Sequence, residues 1–86
     1  MQITEIFEAT TFKATSGQWS WSLLRDGVQI SGGAGYASLD EAEEVVTDLV
    51  SGYVGERDVF ASYGWSDAAG AGSTWVEEVF LENVVL

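Results

Sequence analysis

The stretch "SLDEAEEVVTDLVSGY", residues 38–53, decides how this chain folds. Ala42, Val45, Val46, Leu49, Val50 and Tyr53 recur at the spacing of one apolar helical stripe. Ser38 stands at the N-cap position and Glu41 at N3, the pattern of a capping box in which each side chain satisfies a backbone donor that the first turn leaves open. Gly52 or Gly55 is expected to end the helix, because glycine takes the left-handed conformation that other residues resist. Asp40, Glu41, Glu43, Glu44 and Asp48 avoid the stripe, so five acids are expected on the outer side of the helix with no lysine or arginine among them.

Strand signals lie before the helix. Residues 2–14 mix β-branched and aromatic residues and read as a strand, bent or bulged because the alternation is imperfect. "SGQ" at 16–18 is a turn. "WSWSLL" at 19–24 puts Trp19, Trp21 and Leu23 on one face and Ser20 and Ser22 on the other, as a half-buried antiparallel strand requires. "RDG" carries the Asp-Gly hairpin signal, "VQIS" at 28–31 returns beside it, and "GGAGYAS" at 32–38 reads as a flexible connection. After the helix, "RDVFASYGW" and "TWVEEVFLENVVL" read as two strands around the loop "SDAAGAGS". Glu77 and Glu78 interrupt the last alternation, so one should point outward while the other sits at an edge or bulge. The expected fold is a single α+β domain over residues 1–86: an antiparallel sheet of about five strands with one amphipathic helix on one face, in the order β-β-β-α-β-β.

Composition limits the function classes. With 86 residues, no cysteine and no histidine, the chain has neither disulfide nor the usual zinc ligands, and apolar packing must carry the fold. Four tryptophans, four phenylalanines and three tyrosines supply that packing. Fourteen acids against Lys13, Arg25 and Arg57 give a formal charge of −11, beyond the magnitude of about 2–8 that serves solubility in a small domain. Such a field repels phosphates and anionic lipid and attracts basic protein surfaces. Direct nucleic-acid and membrane binding are therefore disfavoured. The amino-terminal "MQITEIFEATTF" has no basic segment followed by an apolar run, and an intracellular, cytoplasmic location is expected.

The run "FKATSGQWSWSLLRDGVQISGGAGYASLDEAEEVVTDL", Phe12 to Leu49, resembles the YegP-like domain, a small family of unknown function. The elements that carry the resemblance are "WSWSLL", "RDG", "VQIS", "GAGYAS" and "DEAEEVV". The resemblance covers a little under half the chain and implies a β-β-β-α unit. In that family the helix usually contains lysine and a second copy commonly follows. Here the helix lacks lysine, and the chain from Arg57 onward does not repeat the unit.

Catalytic chemistry finds no support. Serines are many, but the usual histidine base is absent and the single lysine, Lys13, lies in an expected strand. The acids are expected on a convex helix face and do not line a cleft, so a paired-carboxylate hydrolase is disfavoured and the chain reads as non-enzymatic, with no cofactor. The same acids lack the loop spacing that wraps oxygens around calcium or magnesium. The glycines of "GGAGYASLDE" precede a helix start, a common phosphate cradle, but Asp40 and Glu41 in the first turn would repel the anion.

Trp19 and Trp21 share a face with Leu23 and are expected beneath the helix. Trp65 and Trp75 flank the small-residue loop and are the better candidates for partial exposure, where an aromatic can serve as an interface anchor. From residue 40 to 48 the helix rises about 12 Å, which places five charges about 3 Å apart on average along its axis. That lies between the ~1.7 Å charge spacing of duplex DNA and the ~3.4 Å of one strand.

Two readings follow. In the first, the chain is an acidic inhibitor or nucleic-acid mimic whose Asp40, Glu41, Glu43, Glu44 and Asp48 steer it onto a basic surface of a nucleic-acid-handling protein, with Trp65 or Trp75 as anchor. In character it resembles the small acidic anti-CRISPR and other phage or plasmid anti-defence proteins. In the second, the acidity is adaptation to a high-salt cytoplasm. Concentration of acid on one helix favours the first. An exposed strand edge near Val84, Val85 and Leu86 would also permit a homodimer through sheet extension.

Overall fold

Asp26 and Gly27 both take positive φ, 51° and 84°, the pair of left-handed residues that a two-residue hairpin turn needs to match the twist of its strands. They join β2 (Trp19–Arg25) to β3 (Val28–Tyr36), with Arg25 opposite Val28. β1 (Thr4–Lys13) precedes them and pairs antiparallel with β2 from Phe7–Arg25 to Lys13–Trp19. The turn between these strands closes through Ala14 N–H to Gln18 C=O, 2.8 Å, and Gly17 N–H to Ala14 C=O, 2.9 Å. The computed structural model describes residues 4–67 and 72–81.

Helix α1 (Leu39–Val54) then carries the chain across one face to β4 (Val59–Asp67), and β5 (Ser73–Phe80) inserts between β4 and β1. The result is a five-stranded antiparallel sheet in the order β3-β2-β1-β5-β4 with one helix on one face. This is the expected α+β architecture, element for element.

The core forms where α1 lies over the first strands. Phe7, Ala9, Trp21, Leu23 and Val79 supply the sheet side, and Ala42, Val46, Val50 and Val54 the helix side. Full burial of each Phe, Leu or Val contributes about 1.5–3 kcal/mol, so this small cluster dominates the fold's stability. Trp19, Ile30, Tyr36, Val45, Leu49, Trp65 and Trp75 pack partly buried around it.

Four local expectations are corrected. The helix stripe ends on Val54, which is buried, and not on Tyr53, which is exposed and meets Phe7 ring to ring at 5.9 Å; the buried row 42, 46, 50, 54 follows the i, i+4 line. "GGAGY" is strand and not a flexible connection, because Gly32, Gly33 and Tyr36 pair with β2 and bring the backbone close to Trp21. A Cβ on Gly33 would stand 2.6 Å from Trp21 Nε1. That indole nitrogen is buried with no hydrogen-bond partner among the described residues.

β1 carries no bulge. The register shifts occur where β3 pairs with β2 and β4 with β5, and the extra residues fall on β3 and β4, the two edge strands, where bulges discourage pairing with other chains. β1 alternates imperfectly for another reason: it bears large apolar residues on both faces. Finally, β5 is an interior strand whose register with β1 runs unbroken from Ser73 to Phe80. Glu77 therefore lies opposite Phe7 on the helix side and Glu78 opposite Ile6 on the other; neither sits at an edge, while Glu78 does face the bulge between Val59 and Ala61 of β4. The edge expected at Val84, Val85 and Leu86 lies outside the described residues.

Candidate interaction surface

The capping box sets the position of the helix acids. Ser38 is extended (φ −144°), and its Oγ accepts from Glu41 N–H at 3.2 Å, while Glu41 Oε2 accepts from Ala37 N–H at 3.2 Å. Glu41 is thus turned back along the helix and holds the amino terminus. At the other end Gly55, at φ 59°, donates its N–H to Ser51 C=O at 3.0 Å.

Glu43 leaves the outward set. It is half-buried, and its Oε2 accepts from Ser73 Oγ at 2.6 Å. Ser73 Oγ in turn lies 2.6 Å from Thr11 Oγ1, which accepts from Ser73 N–H at 2.9 Å. With Ser73 donating to the carboxylate, the Thr11 hydroxyl must donate to Ser73, so proton positions run Thr11 to Ser73 to Glu43. Thr11 and Ser73 are 1% and 3% exposed, and this relay ties α1 to β1 and β5. Glu43 misses the strict apolar stripe, but it stands only about a quarter-turn from it and so reaches a polar partner in the sheet.

Asp40, Glu44 and Asp48 remain. All three are exposed, and they follow one another at i, i+4 along a single line of the helix, about 6 Å apart in rise. They make no ion pair or side-chain hydrogen bond among the described residues. The ridge is sparser than the five-charge version expected from the sequence.

Trp65 and Trp75 are partly exposed, as expected, but neither stands clear of the domain. Both are half-buried against the core, their rings 5.6 Å apart, and Trp65 Nε1 donates to Thr47 Oγ1 at 3.3 Å. The pair sits beside the helix because β4 and β5 place these residues on the face that α1 covers.

The exposed aromatics lie on the opposite face. Pairing places Thr4, Ile6, Glu8 and Thr10 of β1 beside Phe80, Glu78, Val76 and Thr74 of β5. Leu24 of β2 lies opposite Glu8, and Tyr63 of β4 opposite Val76. Phe60 meets Phe80 edge to face, 5.6 Å between centroids. Ile6, Phe12, Phe60 and Tyr63 are 43%, 47%, 55% and 61% exposed. No described element covers this face. The sequence signal was present in the even positions of "TEIFEATTFK", but it is masked there by the equally apolar odd positions.

Two of the three basic residues are committed to structure. Arg57 Nη1 pairs with Glu5, while its other nitrogens donate to Val54 C=O at 3.2 Å and Tyr53 C=O at 2.7 Å, and Nη1 also donates to Leu81 C=O at 3.2 Å. Arg25 stands 3.6 Å from the other oxygen of Glu5. Burial on the helix side pushes the Glu77 carboxyl above the usual glutamate range, and a hydrogen bond from Ser62 partly offsets this. Among the described residues no three acidic side chains converge as a metal ligand set would require, and no helix is long and apolar enough to cross a membrane. Comparison with known proteins returns no relationship: no protein-family model, curated protein or solved structure matches the chain.

Proposed function

We propose that this chain is a non-enzymatic acidic interaction protein that occupies a basic surface of a nucleic-acid-handling protein, as an inhibitor or nucleic-acid mimic of the anti-defence, anti-CRISPR-like kind, acting in the cytoplasm of a host cell. The observation that supports the reading is the line Asp40, Glu44, Asp48: exposed carboxylates without counter-ions among the described residues, held on a helix at i, i+4 although like charges at that spacing destabilise a helix by about 0.2–0.5 kcal/mol per pair. A charge row kept at that cost serves attraction of a cationic surface and speeds encounter. Glu41 and Glu43 support the ridge by fixing the helix start and its seat on the sheet, and are not themselves contacts.

The reading is tested with the triple variant Asp40→Asn, Glu44→Gln, Asp48→Asn, which keeps size and helix shape. Immobilised wild-type chain should retain a basic nucleic-acid-binding protein from a host lysate, release it to competing duplex DNA, and lose it at raised salt. The triple variant should retain none. Equal retention by the variant, or indifference to competing DNA, removes the mimic.

A second reading, general acidity for a high-salt cytoplasm, draws support from a different observation. Glu8, Asp26, Asp58 and Asp67 are also exposed and lie on strands and turns far from the ridge. Dependence of folding on molar salt separates the two.

A further inference from the structure

The face of the sheet that no described element covers combines features that point to a partner of defined chemistry. Leu24, Ile6, Val76, Tyr63, Phe60 and Phe80 form an apolar field across β2, β1, β5 and β4. At its centre stand Glu8 and Glu78. Glu8 pairs in register with Val76 and Glu78 with Ile6, so the two acids occupy diagonal positions on neighbouring strands, about 7–8 Å apart. Glu78 accepts from Thr4 Oγ1 at 2.7 Å. Glu8 is exposed and has no side-chain partner among the described residues.

Among the described residues no basic side chain shares this face. Arg25 lies opposite Phe7 and Lys13 opposite Trp19, which puts both on the helix side, and Arg57 is held at the helix end. Exposed aromatic side chains around acids lacking a counter-charge make an interface that is complementary to apolar groups and to positive charge together. A second copy of this chain fits poorly. Stacking two such faces would enclose four carboxylates with no base between them, and each copy carries −11.

We propose that this face docks a basic amphipathic segment of another protein, whose apolar side chains pack on Phe60, Tyr63 and Ile6 while one arginine or lysine sits between Glu8 and Glu78. Diagonal carboxylates at this separation can bracket one guanidinium, the group best suited to carboxylate recognition at a partly desolvated surface. The site lies on the opposite side of the sheet from Asp40, Glu44 and Asp48, so it goes beyond the ridge reading and stands or falls separately from it.

The test uses a synthetic amphipathic helical peptide with leucines along one face and one central arginine, titrated into the full chain at about 0.15 M salt and followed by backbone amide NMR shifts. Shifts should concentrate on residues 6–8, 24, 60–63 and 76–80. The pair Glu8→Gln, Glu78→Gln should weaken binding tenfold or more, and so should Phe60→Thr with Tyr63→Thr. Replacing the peptide's arginine by glutamine should cost wild-type affinity but little with the double-glutamine variant. The variant Asp40→Asn, Glu44→Gln, Asp48→Asn should bind within about threefold of wild type.

Of the seven substituted residues six are exposed and Glu78 is half-buried on the outer face, and circular dichroism of each variant establishes that it folds. Shifts confined to residues 40–48, undiminished binding by Glu8→Gln, Glu78→Gln, or no binding to the folded wild type each overturn the proposal. So does a wild-type homodimer, seen by sedimentation, that dissociates on Phe60→Thr with Tyr63→Thr, since the occupant is then a second copy.

Discussion

Glu43 and Ser73 are 30 residues apart in the chain and meet at 2.6 Å, the helix carboxylate accepting the strand hydroxyl above a buried Thr11. Ser73→Ala removes the middle of this relay and leaves the buried Thr11 hydroxyl only the long contact to the Ser73 carbonyl, 3.5 Å, as acceptor. The expected loss is about 1–3 kcal/mol, the cost of an unmatched buried polar group. At about 4–8 °C per kcal/mol for a domain of this size, the change is readily seen in Tm. Thr11→Val, which also strips the acceptor of Ser73 N–H, should cost more than Ser73→Ala. Glu43→Gln, which still accepts from Ser73, should cost less. Urea unfolding of the three variants gives the order directly.

Arg57 and Glu5 form the second long-range tie. The arginine is four-fifths buried and the glutamate more so, and the same guanidinium closes the open carbonyls of Tyr53 and Val54 at the end of α1. Arg57→Lys keeps the charge but not the fork that reaches four oxygens, so it should lose about 1.5–3 kcal/mol, the range for a hydrogen bond to a charged group. A double-mutant cycle with Glu5→Gln should show coupling well above the few tenths expected of distant sites. Additive losses would mean that Arg57 acts through the helix carbonyls alone.

These ties explain what the sequence did and did not disclose. The Ser38–Glu41 box, the Asp26–Gly27 turn and the alternation of Trp19, Trp21 and Leu23 are signals confined to a few residues, and each predicts its element. The extent of β3 was hidden because glycines read as flexible until the indole that rests on Gly33 is in place. Glu43 and Arg57 find partners 30 and 52 residues away in the chain, and no local pattern announces that. The apolar outer face was hidden for a different reason. In β1, Ile6 and Phe12 alternate with Phe7 and Ala9, so periodicity alone assigns neither set to the core.

Glu77 should give the protein a pH response of its own. Burial raises its folded pKa, so the folded state holds this proton more tightly than the unfolded chain, whose glutamates titrate near about 4.3. Stability from this group is therefore greatest below that value and falls as pH rises through the raised folded pKa, after which it is constant. Glu77→Gln retains a partner for Ser62 and abolishes the ionisation. The variant should be more stable than wild type at neutral pH, with the advantage shrinking as pH falls towards 4. The difference between the two unfolding curves at each pH isolates Glu77 from the other acids, and an advantage independent of pH would assign it to packing.

Salt dependence decides between the ridge and general acidity. Asp40–Glu44 and Glu44–Asp48 each oppose helix formation by about 0.2–0.5 kcal/mol, and their charges stand about 6 Å apart in rise along the axis. The screening length falls from about 30 Å at 0.01 M to about 8 Å at 0.15 M and about 3 Å at 1 M, so most of this repulsion disappears within that range. Wild type should be folded at low salt and gain up to about 1 kcal/mol from these two pairs as salt rises to 1 M. Asp40→Asn, Glu44→Gln, Asp48→Asn removes both pairs and should show a gain smaller by that amount. Adaptation to high salt requires a different curve, in which wild type unfolds at low salt, continues to gain stability beyond 1 M, and the triple variant follows it because charge elsewhere on the molecule carries the effect. Thermal melts of the two proteins across this series separate the outcomes, and a ridge selected for binding predicts the first.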